Sequence, residues 1–552
     1  MGSSLLPLRR RRLALAGAAA LAGCAALPTA RDEVEVAEPV PGLPPQQQPP
    51  RSPREFRAAW VATVANIDWP SKPGLPGPVW RAEAIAILDR AKALGLNAIV
   101  LQVRPAADAF YASTLEPWSE YLVGAAGRAP APADDPLAMW VEQAHLRGLE
   151  LHAWFNPYRA RHSTAKLPVA PSHLSITRPH AVKRYGDQLW MDPAEPDAVA
   201  HTLAVVADVV RRYDIDGVHI DDYFYPYPIS VDGVEQPFPD DPAWLRYLQG
   251  GGQLDRADWR RAQVDALVQA LHRKIHEIKP QVRFGISPFG IGKPTLRPSG
   301  IAGFSQYDKL YADVERWLAE GWLDYLAPQL YWPIDQRPQA FDVLLDYWLA
   351  QNRRQRHVWP GLFTSMVAAQ PAGVMPSPPA TPAPAPSASA ASAPAAAASA
   401  PAPPKPWPAS EVLAQVQRVR ARPESGGHLH FSMAALMQDR DSIATRLRAG
   451  PYAQPALVPA TPWLGGGRPE APGLQRAPSG NVLIQAAARG PAAFVWSVWR
   501  LRGSEWRFEV LPAKNVPALH AGDDLLVVRG VDALGREGEP ALLRSTETRF
   551  TP

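Results

Sequence analysis

Asp216-Gly-Val-His-Ile-Asp-Asp-Tyr-Phe-Tyr-Pro226 is the stretch whose reading decides the fold. Val218 and Ile220 share one face of an extended segment, which leaves His219, Asp221 and Tyr223 on the other by the period-two geometry of a strand. A barrel strand has this pattern: branched residues meet an outer helix layer, polar residues face the axis, and chemistry collects at the C-terminal end. Asp222 lies where the strand ends and can turn into the same cleft. Two adjacent acids let one be held protonated by its neighbour's charge and by desolvation, as general acid catalysis requires. The plain alternative is a pair of carboxylates that only cap loop amides.

Outward from that segment, apolar and β-branched runs predict strands over 57–65, 97–104, 149–156, 217–222, 282–288, 325–331, 357–363 and 428–433. Amphipathic patterns predict helices over 80–94, 137–147, 196–213, 255–278, 307–319 and 338–352. The Ala/Pro/Ser tract 370–408 resembles an interdomain linker, yet beyond it Ser410 can cap a helix with Val412, Leu413, Val416 and Val419 on one face. That helix and the strand after it supply the seventh helix and eighth strand, so the tract is an insert and 54–450 is one α/β domain, a (β/α)8 TIM barrel. A doubly wound sheet is the alternative, but no Gly-rich phosphate loop follows strand one. Residues 451–478 are Pro/Gly-rich and predict a linker. Short strands over 481–487, 493–500, 506–511, 524–531 and 541–550 predict an all-β C-terminal sandwich of fibronectin type III/Ig-like kind, 479–552.

The N-terminus carries an address. Arg9–Arg12 precede a short apolar run over 13–22, which predicts a signal peptide, 1–23, too short to span a membrane. Leu21-Ala-Gly-Cys24 resembles a bacterial lipobox, so Cys24, the one cysteine in the chain, is the expected lipidation site. In the lipoproteins this resembles, alanine in place of aspartate at position 25 favours the periplasmic side of the outer membrane, with 24–53 as a Pro/Gln-rich tether. Lys+Arg total 57 and Asp+Glu 53, and the signal peptide holds four arginines and no acid, so the mature side chains balance. Nothing electrostatic argues for a nucleic-acid partner.

The remaining strand ends supply Asn66, Asp68 and Trp69; Gln102, Arg104 and Asp108; Trp154, Asn156, Tyr158 and Arg159; and Gln329, Tyr331 and Trp332. With His219 and Tyr223 these are the expected substrate-binding residues, and Asp221 and Asp222 the expected catalytic ones. Sugars need such a mixture, because aromatic faces cover a pyranose ring while amides and acids bind its hydroxyls. Among the 19 tryptophans, Trp69, Trp154 and Trp332 stand beside polar clusters, and the rest read as packing.

Glu55–Pro70, Gln102–Asp108, Trp154–Arg159, Asp216–Pro226 and Ala327–Trp332 together resemble the glycosyl-hydrolase-like 10 family, over the chain from Pro53 to Met433 without the Ala/Pro tract. That family includes a division-site lipoprotein glycosidase that cleaves peptidoglycan strands stripped of their stem peptides. The resemblance implies a barrel, glycosidic-bond hydrolysis and a naked N-acetylhexosamine polymer as substrate, while the C-terminal sandwich is the expected docking surface for an envelope or division partner. The fourth strand is also similar in layout to the chitinase-type signature Asp-Gly-x-Asp-x-Asp-x-Glu, with His219 and Tyr223 standing where acids would be. The second carboxylate is open between the Asp221–Asp222 pair, Asp68, Asp108 and the substrate's own acetamido oxygen. No cofactor or metal is expected. Two rival readings stand: a metal-dependent deacetylase or amidohydrolase using His219 with Asp221, or His428 with His430, and a lipoprotein that binds glycan without cutting it.

Overall fold

The structure, a computed structural model, describes residues 39–131, 134–165, 167–369, 405–520 and 524–544. The expected signal peptide, Cys24, the first part of the tether, the tract 370–404 and the end of the last predicted strand lie outside them.

Eight parallel strands form the main sheet: β1 Phe56–Val61, β2 Ala98–Arg104, β3 Glu150–Phe155, β4 Gly217–Ile220, β5 Arg283–Ile286, β6 Tyr325–Leu326, a two-piece β7 (His357–Val358 and Gly361–Leu362) and β8 Gly427–His430. They pair in chain order. The first piece of β7 lies beside β6, its second beside β8, and β8 returns to β1. The two ends of the sheet are therefore pieces of one segment, broken at Trp359-Pro360 where proline has no amide hydrogen to donate. The sheet curls until it meets itself, and the architecture is TIM-barrel-like.

Helices α1 Gly77–Leu94, α2 Pro136–His145, α3 Pro196–Arg212, α4 Arg256–Ile278, α5 Val314–Glu320, α6 Phe341–Gln351 and α7 Ala409–Arg420 follow the strands in alternation. Their starts use the expected chemistry: Asp135 caps the Ala138 amide, Asp255 caps Asp258, and prolines stand in the first turn of α1, α2 and α3. The helix expected over 307–319 is broken. A short turn Gln306–Lys309 ends before Asp313, whose carboxylate accepts the Arg316 amide and starts α5 afresh. Sequence reasoning also missed a three-stranded antiparallel flap after β3 (Arg159–Arg161, Val182–Tyr185, Gln188–Met191) and, after β4, a hairpin with the helix Asp241–Gln249. The strands of the flap and hairpin, two to four residues each, are too short to show a period.

Two cores separate by strand face. Val218, Ile220, Leu101 and Phe155 join the helices outside, while Phe56, Trp60, Trp154, Tyr325 and Trp359 fill the inside. Glycines make room for the large inner rings: a Cβ on Gly285 would fall 1.9 Å from the Tyr325 ring, and one on Gly217 would fall 2.5 Å from His152 Nδ1. A polar chain threads this interior. His219 Nε2 accepts from Trp60 Nε1 at 3.2 Å, its Nδ1 meets Tyr325 at 3.0 Å, and Tyr325 meets His152 at 2.8 Å. His152 then reaches Glu150, which pairs with Arg283 at 3.1 Å. Buried polar groups inside a barrel must find partners, and this chain supplies them.

Among the described residues, seven C-terminal strands form a three-stranded antiparallel sheet (β9 Gly473–Arg476, β10 Asn481–Gln485, β13 Leu519–His520) and a four-stranded one (β11 Val495–Arg502, β12 Glu505–Pro512, β14 Leu525–Val531, β15 Glu537–Leu543). Val482, Trp496, Val498, Leu519, Leu526 and Val528 join the two sheets in one apolar cluster. The segment 451–478 is docked: Thr461 is buried and accepts from Arg283 Nε at 2.8 Å, Trp463 Nε1 donates to Asp324 at 2.8 Å, and Gly473–Arg476 is a strand. The described end of the tether packs too, with Val40 and Leu43 against Trp499 and Val527. Pro-rich composition marks irregular backbone, which is not the same as undocked backbone. Among the described residues, no helix is long and apolar enough to cross a membrane.

Candidate active site

β4 delivers its acids where the alternation requires. Ile220 packs outward, His219 lies inside, and Asp221 and Asp222 follow at the C-terminal mouth, both buried. Asp221 Oδ2 accepts from the indole Nε1 of Trp154 at 3.0 Å. Burial pushes its carboxyl up to about 7, opposed by the Arg159 guanidinium and assisted by the charge of Asp222. Asp222 accepts from the Tyr227 hydroxyl. Burial raises it as well, against the Tyr227 and Gln329 hydrogen bonds. Two neighbouring carboxyls that both resist ionisation can keep a proton at neutral pH.

Arg159 lies four residues past the end of β3, at the start of the flap. Its guanidinium lies 3.9 Å over the Tyr223 ring, and its Nε is buried without a partner. Asn156, at that strand end, is fully buried with both amide atoms unpartnered. Buried polar atoms without partners are rare, and beside a cleft they suit the hydroxyl or acetamido groups of a ligand. Gln329 donates to the Ser287 carbonyl at 2.9 Å, and Tyr331 feels the charges of Asp221 and Asp222. Trp332 packs edge-on to Phe289, its centroid 5.5 Å away.

The aromatic wall is broader than the sequence indicated. Tyr227 stacks on Phe304, Phe304 meets Phe289, and Tyr331 stacks on Phe363 beside Phe431. All six rings are partly exposed. Tyr227 carries a signal that was available, since it continues the Tyr223-Phe-Tyr-Pro-Tyr run. The phenylalanines carry none, because an apolar residue at a strand end also reads as core.

Several expected ligands are engaged elsewhere. Gln102 Oε1 accepts the Thr63 and Val64 amides at 3.0 and 2.9 Å, pinning the end of β1. Arg104 forms a buried pair with Glu116 and also bonds the Asn156 carbonyl. Trp69 is fully buried, donates to the Trp80 carbonyl at 2.8 Å and meets Trp140 edge-on. Tyr158 is buried in the outer core, and Asn66 donates to the Pro70 and Tyr121 carbonyls. His219 belongs to the interior polar chain, where burial holds its pKa well below the usual imidazole range. Asp68 bridges β1 to β8: it accepts the Ala62 amide at 2.8 Å and Ser432 Oγ at 2.7 Å, with burial pushing it up to about 6. Asp108 accepts the Ala106 amide at 2.8 Å and lines a recess with Glu120, Arg161 and His173; burial pushes it up to about 7. His428 and His430 both bond the Tyr452 hydroxyl. His219, His428 and His430, the imidazoles named for a metal-dependent deacetylase, are thus engaged in interior hydrogen bonds.

A family profile described as Glycosyl hydrolase-like 10 matches residues 55–372. Glycosyl hydrolase YngK of Bacillus subtilis (strain 168) is 38% identical over 444 residues, 78% of this chain and 79% of that protein. Glycosyl hydrolase DigH of Escherichia coli (strain K12) is 34% identical over 362 residues, 62% of this chain and 80% of that protein. Among solved structures, the PgaB (BpsB) glycoside hydrolase domain from Bordetella bronchiseptica aligns with TM-score 0.44 at 14% identity, covering 72% of this chain and 98% of that one.

Proposed function

Because the chain belongs to the glycosyl hydrolase-like 10 family, we propose that it hydrolyses glycosidic bonds in a cell-wall glycan, with peptide-free peptidoglycan strands as substrate. The observation that carries this reading is the adjacent pair Asp221–Asp222, buried at the barrel mouth within a wall of partly exposed aromatic rings. Asp221, whose carboxyl titrates near 7, is the general acid: it gives its proton to the bridging oxygen as the bond to the anomeric carbon breaks. Asp222, oriented by Tyr227, is the second carboxylate, stabilising positive charge on the ring and accepting the proton lost by the attacking water. Asn156 and Arg159 bind ring substituents, and Trp332, Tyr331 and Tyr227 cover the sugar faces. The C-terminal unit is read as a fibronectin type III/Ig-like sandwich that docks an envelope or division partner.

The deciding assay offers the protein peptide-free glycan strands and intact peptidoglycan, and measures new reducing ends and released acetate. New reducing ends on the peptide-free strands are expected, without acetate. Acetate alone would move the reading to a deacetylase, and binding without either product would move it to a glycan-binding protein.

Trp154 gives a pH test. Its indole hydrogen bond favours ionised Asp221, so Trp154→Phe is expected to raise the acid's pKa by roughly 1–2 units, the worth of one hydrogen bond to a charged group. The alkaline limb of the kcat/KM profile should then move to higher pH. An unmoved limb would deny Asp221 the acid role.

We also infer an outer-membrane lipoprotein facing the periplasm, supported by Leu21-Ala-Gly-Cys24 and Ala25. Cys24→Ala is expected to shift the protein from the membrane to the soluble fraction, or to leave it unprocessed, with activity of the solubilised enzyme unchanged. Normal fractionation of that variant would remove the anchor.

A further inference from the structure

A second cluster of ionisable groups lies away from the acids, where α4 ends and β6 begins. His272 and His276 stand four residues apart on α4, one turn along the same face, with ring centroids 4.5 Å apart. Asp324, the residue before β6, is fully buried opposite them. One donor atom from each of the three lies within 4.8 Å of the others. His276 Nε2 lies 3.0 Å from Asp324 Oδ2, so imidazole and carboxylate already face one another at this position.

The carboxylate is held before any ligand arrives. Asp324 Oδ2 accepts the Phe284 amide at 2.8 Å, and Oδ1 accepts Trp463 Nε1 at 2.8 Å. Outer partners of this kind orient the ligating atoms of metal sites. We propose that His272, His276 and Asp324 bind a zinc-class transition-metal ion, with the fourth position taken by water. Two imidazoles and one carboxylate suit zinc's tetrahedral preference, whereas magnesium and calcium prefer all-oxygen shells. Bonds of about 2.1 Å place tetrahedral ligands roughly 3.4 Å apart, so closure needs about an ångström of side-chain movement from the arrangement seen. The Arg356 guanidinium faces the same group, 4.7 Å over the Trp463 ring. Its charge opposes any cation, which further disfavours weakly held ions.

The position fixes the role. The acids follow the C-terminal end of β4, whereas this cluster precedes β6 at the opposite, N-terminal end of the strands, the end associated with stability in such barrels. A metal here joins α4, the start of β6 and, through Trp463, the docked segment that leads to the C-terminal sheets. It takes no part in glycan cleavage.

The test strips the full chain with a chelator, then titrates it with zinc by calorimetry and with cobalt(II) by visible absorption. One equivalent per chain, the intense visible bands of four-coordinate cobalt and a raised melting temperature are expected. His272→Gln and His276→Gln should each weaken zinc at least about a hundredfold, by loss of a ligand. Both should abolish the cobalt bands while leaving glycan cleavage at room temperature unchanged. Absence of stoichiometric zinc binding to the wild-type chain would overturn the site, as would equal affinity in both variants. Glycan cleavage is read separately, so its failure would bear on the catalytic reading and leave the metal site standing.

Discussion

Asp221→Asn is expected to lower turnover on peptide-free glycan on the order of a hundredfold to ten-thousandfold, the usual loss when an aligned general acid is removed. Asparagine keeps the shape of the side chain and can still meet the Trp154 indole, but it has no proton to give the leaving oxygen. Asp222→Asn removes the second carboxylate, and its loss should fall in the same range. Because the two acids work on one bond, the double variant should be little worse than the more damaged single one. Near-wild-type cleavage by both single variants would refute the assignment and pass suspicion to Asp68 and Asp108, whose carboxyls burial also raises.

The same substitution separates catalysis from folding. Asp221 has a native pKa near 7 against 3.8 in the absence of burial. A carboxyl raised on folding favours the native state most at low pH, and that contribution is lost as pH climbs through the native value. Asp221→Asn has no charge to bury, so its stability should gain on wild type between about pH 4 and pH 7 and keep the gain above. A variant that is less active and no less stable at pH 8 is the signature of a functional acid. One that is both inactive and unstable would indicate a loop-capping carboxylate instead.

The strand order, the seventh helix beyond the Ala/Pro tract and the direction of His219 were legible because each rests on a period that a packed sheet must obey. Roles at the strand ends were less legible. Gln102, Arg104 and Trp69 have the chemistry of sugar ligands, but what they do depends on Thr63, Glu116 and Trp80, whose proximity no local pattern encodes. Phe289, Phe304, Phe363 and Phe431 were missed for the converse reason. Their residue type says core, and only the geometry of the cleft leaves them partly exposed. The prolines of 451–478 predict irregular backbone and say nothing of Thr461 and Trp463 docking onto Arg283 and Asp324.

Glu116→Gln is expected to destabilise the barrel by roughly 3–5 kcal/mol, because it leaves the buried Arg104 charge without its counterion. Both side chains of the pair are essentially inaccessible. Arg104 Nε bonds both carboxylate oxygens, at 3.0 and 2.9 Å, a terminal guanidinium nitrogen adds a bond at 2.5 Å, and His201 lies 2.8 Å from the same carboxylate. Burial alone would raise the Glu116 carboxyl, yet Arg104 and His201 hold it down to about 2. A carboxyl depressed on folding contributes stability above its ordinary pKa of 4.5, and that stability is lost as pH falls through about 2. At neutral pH the full contribution is present, so the melting temperature of Glu116→Gln should fall on the order of ten degrees. KM for glycan should hold, because Arg104 faces Glu116 and the Asn156 carbonyl, not the cleft. Replacing both partners with apolar residues, Arg104→Met with Glu116→Leu, should recover much of the loss, since no charge is then left unpaired. A Glu116→Gln protein that melts like wild type but binds glycan poorly would return Arg104 to the sugar-binding role its place in the sequence suggested.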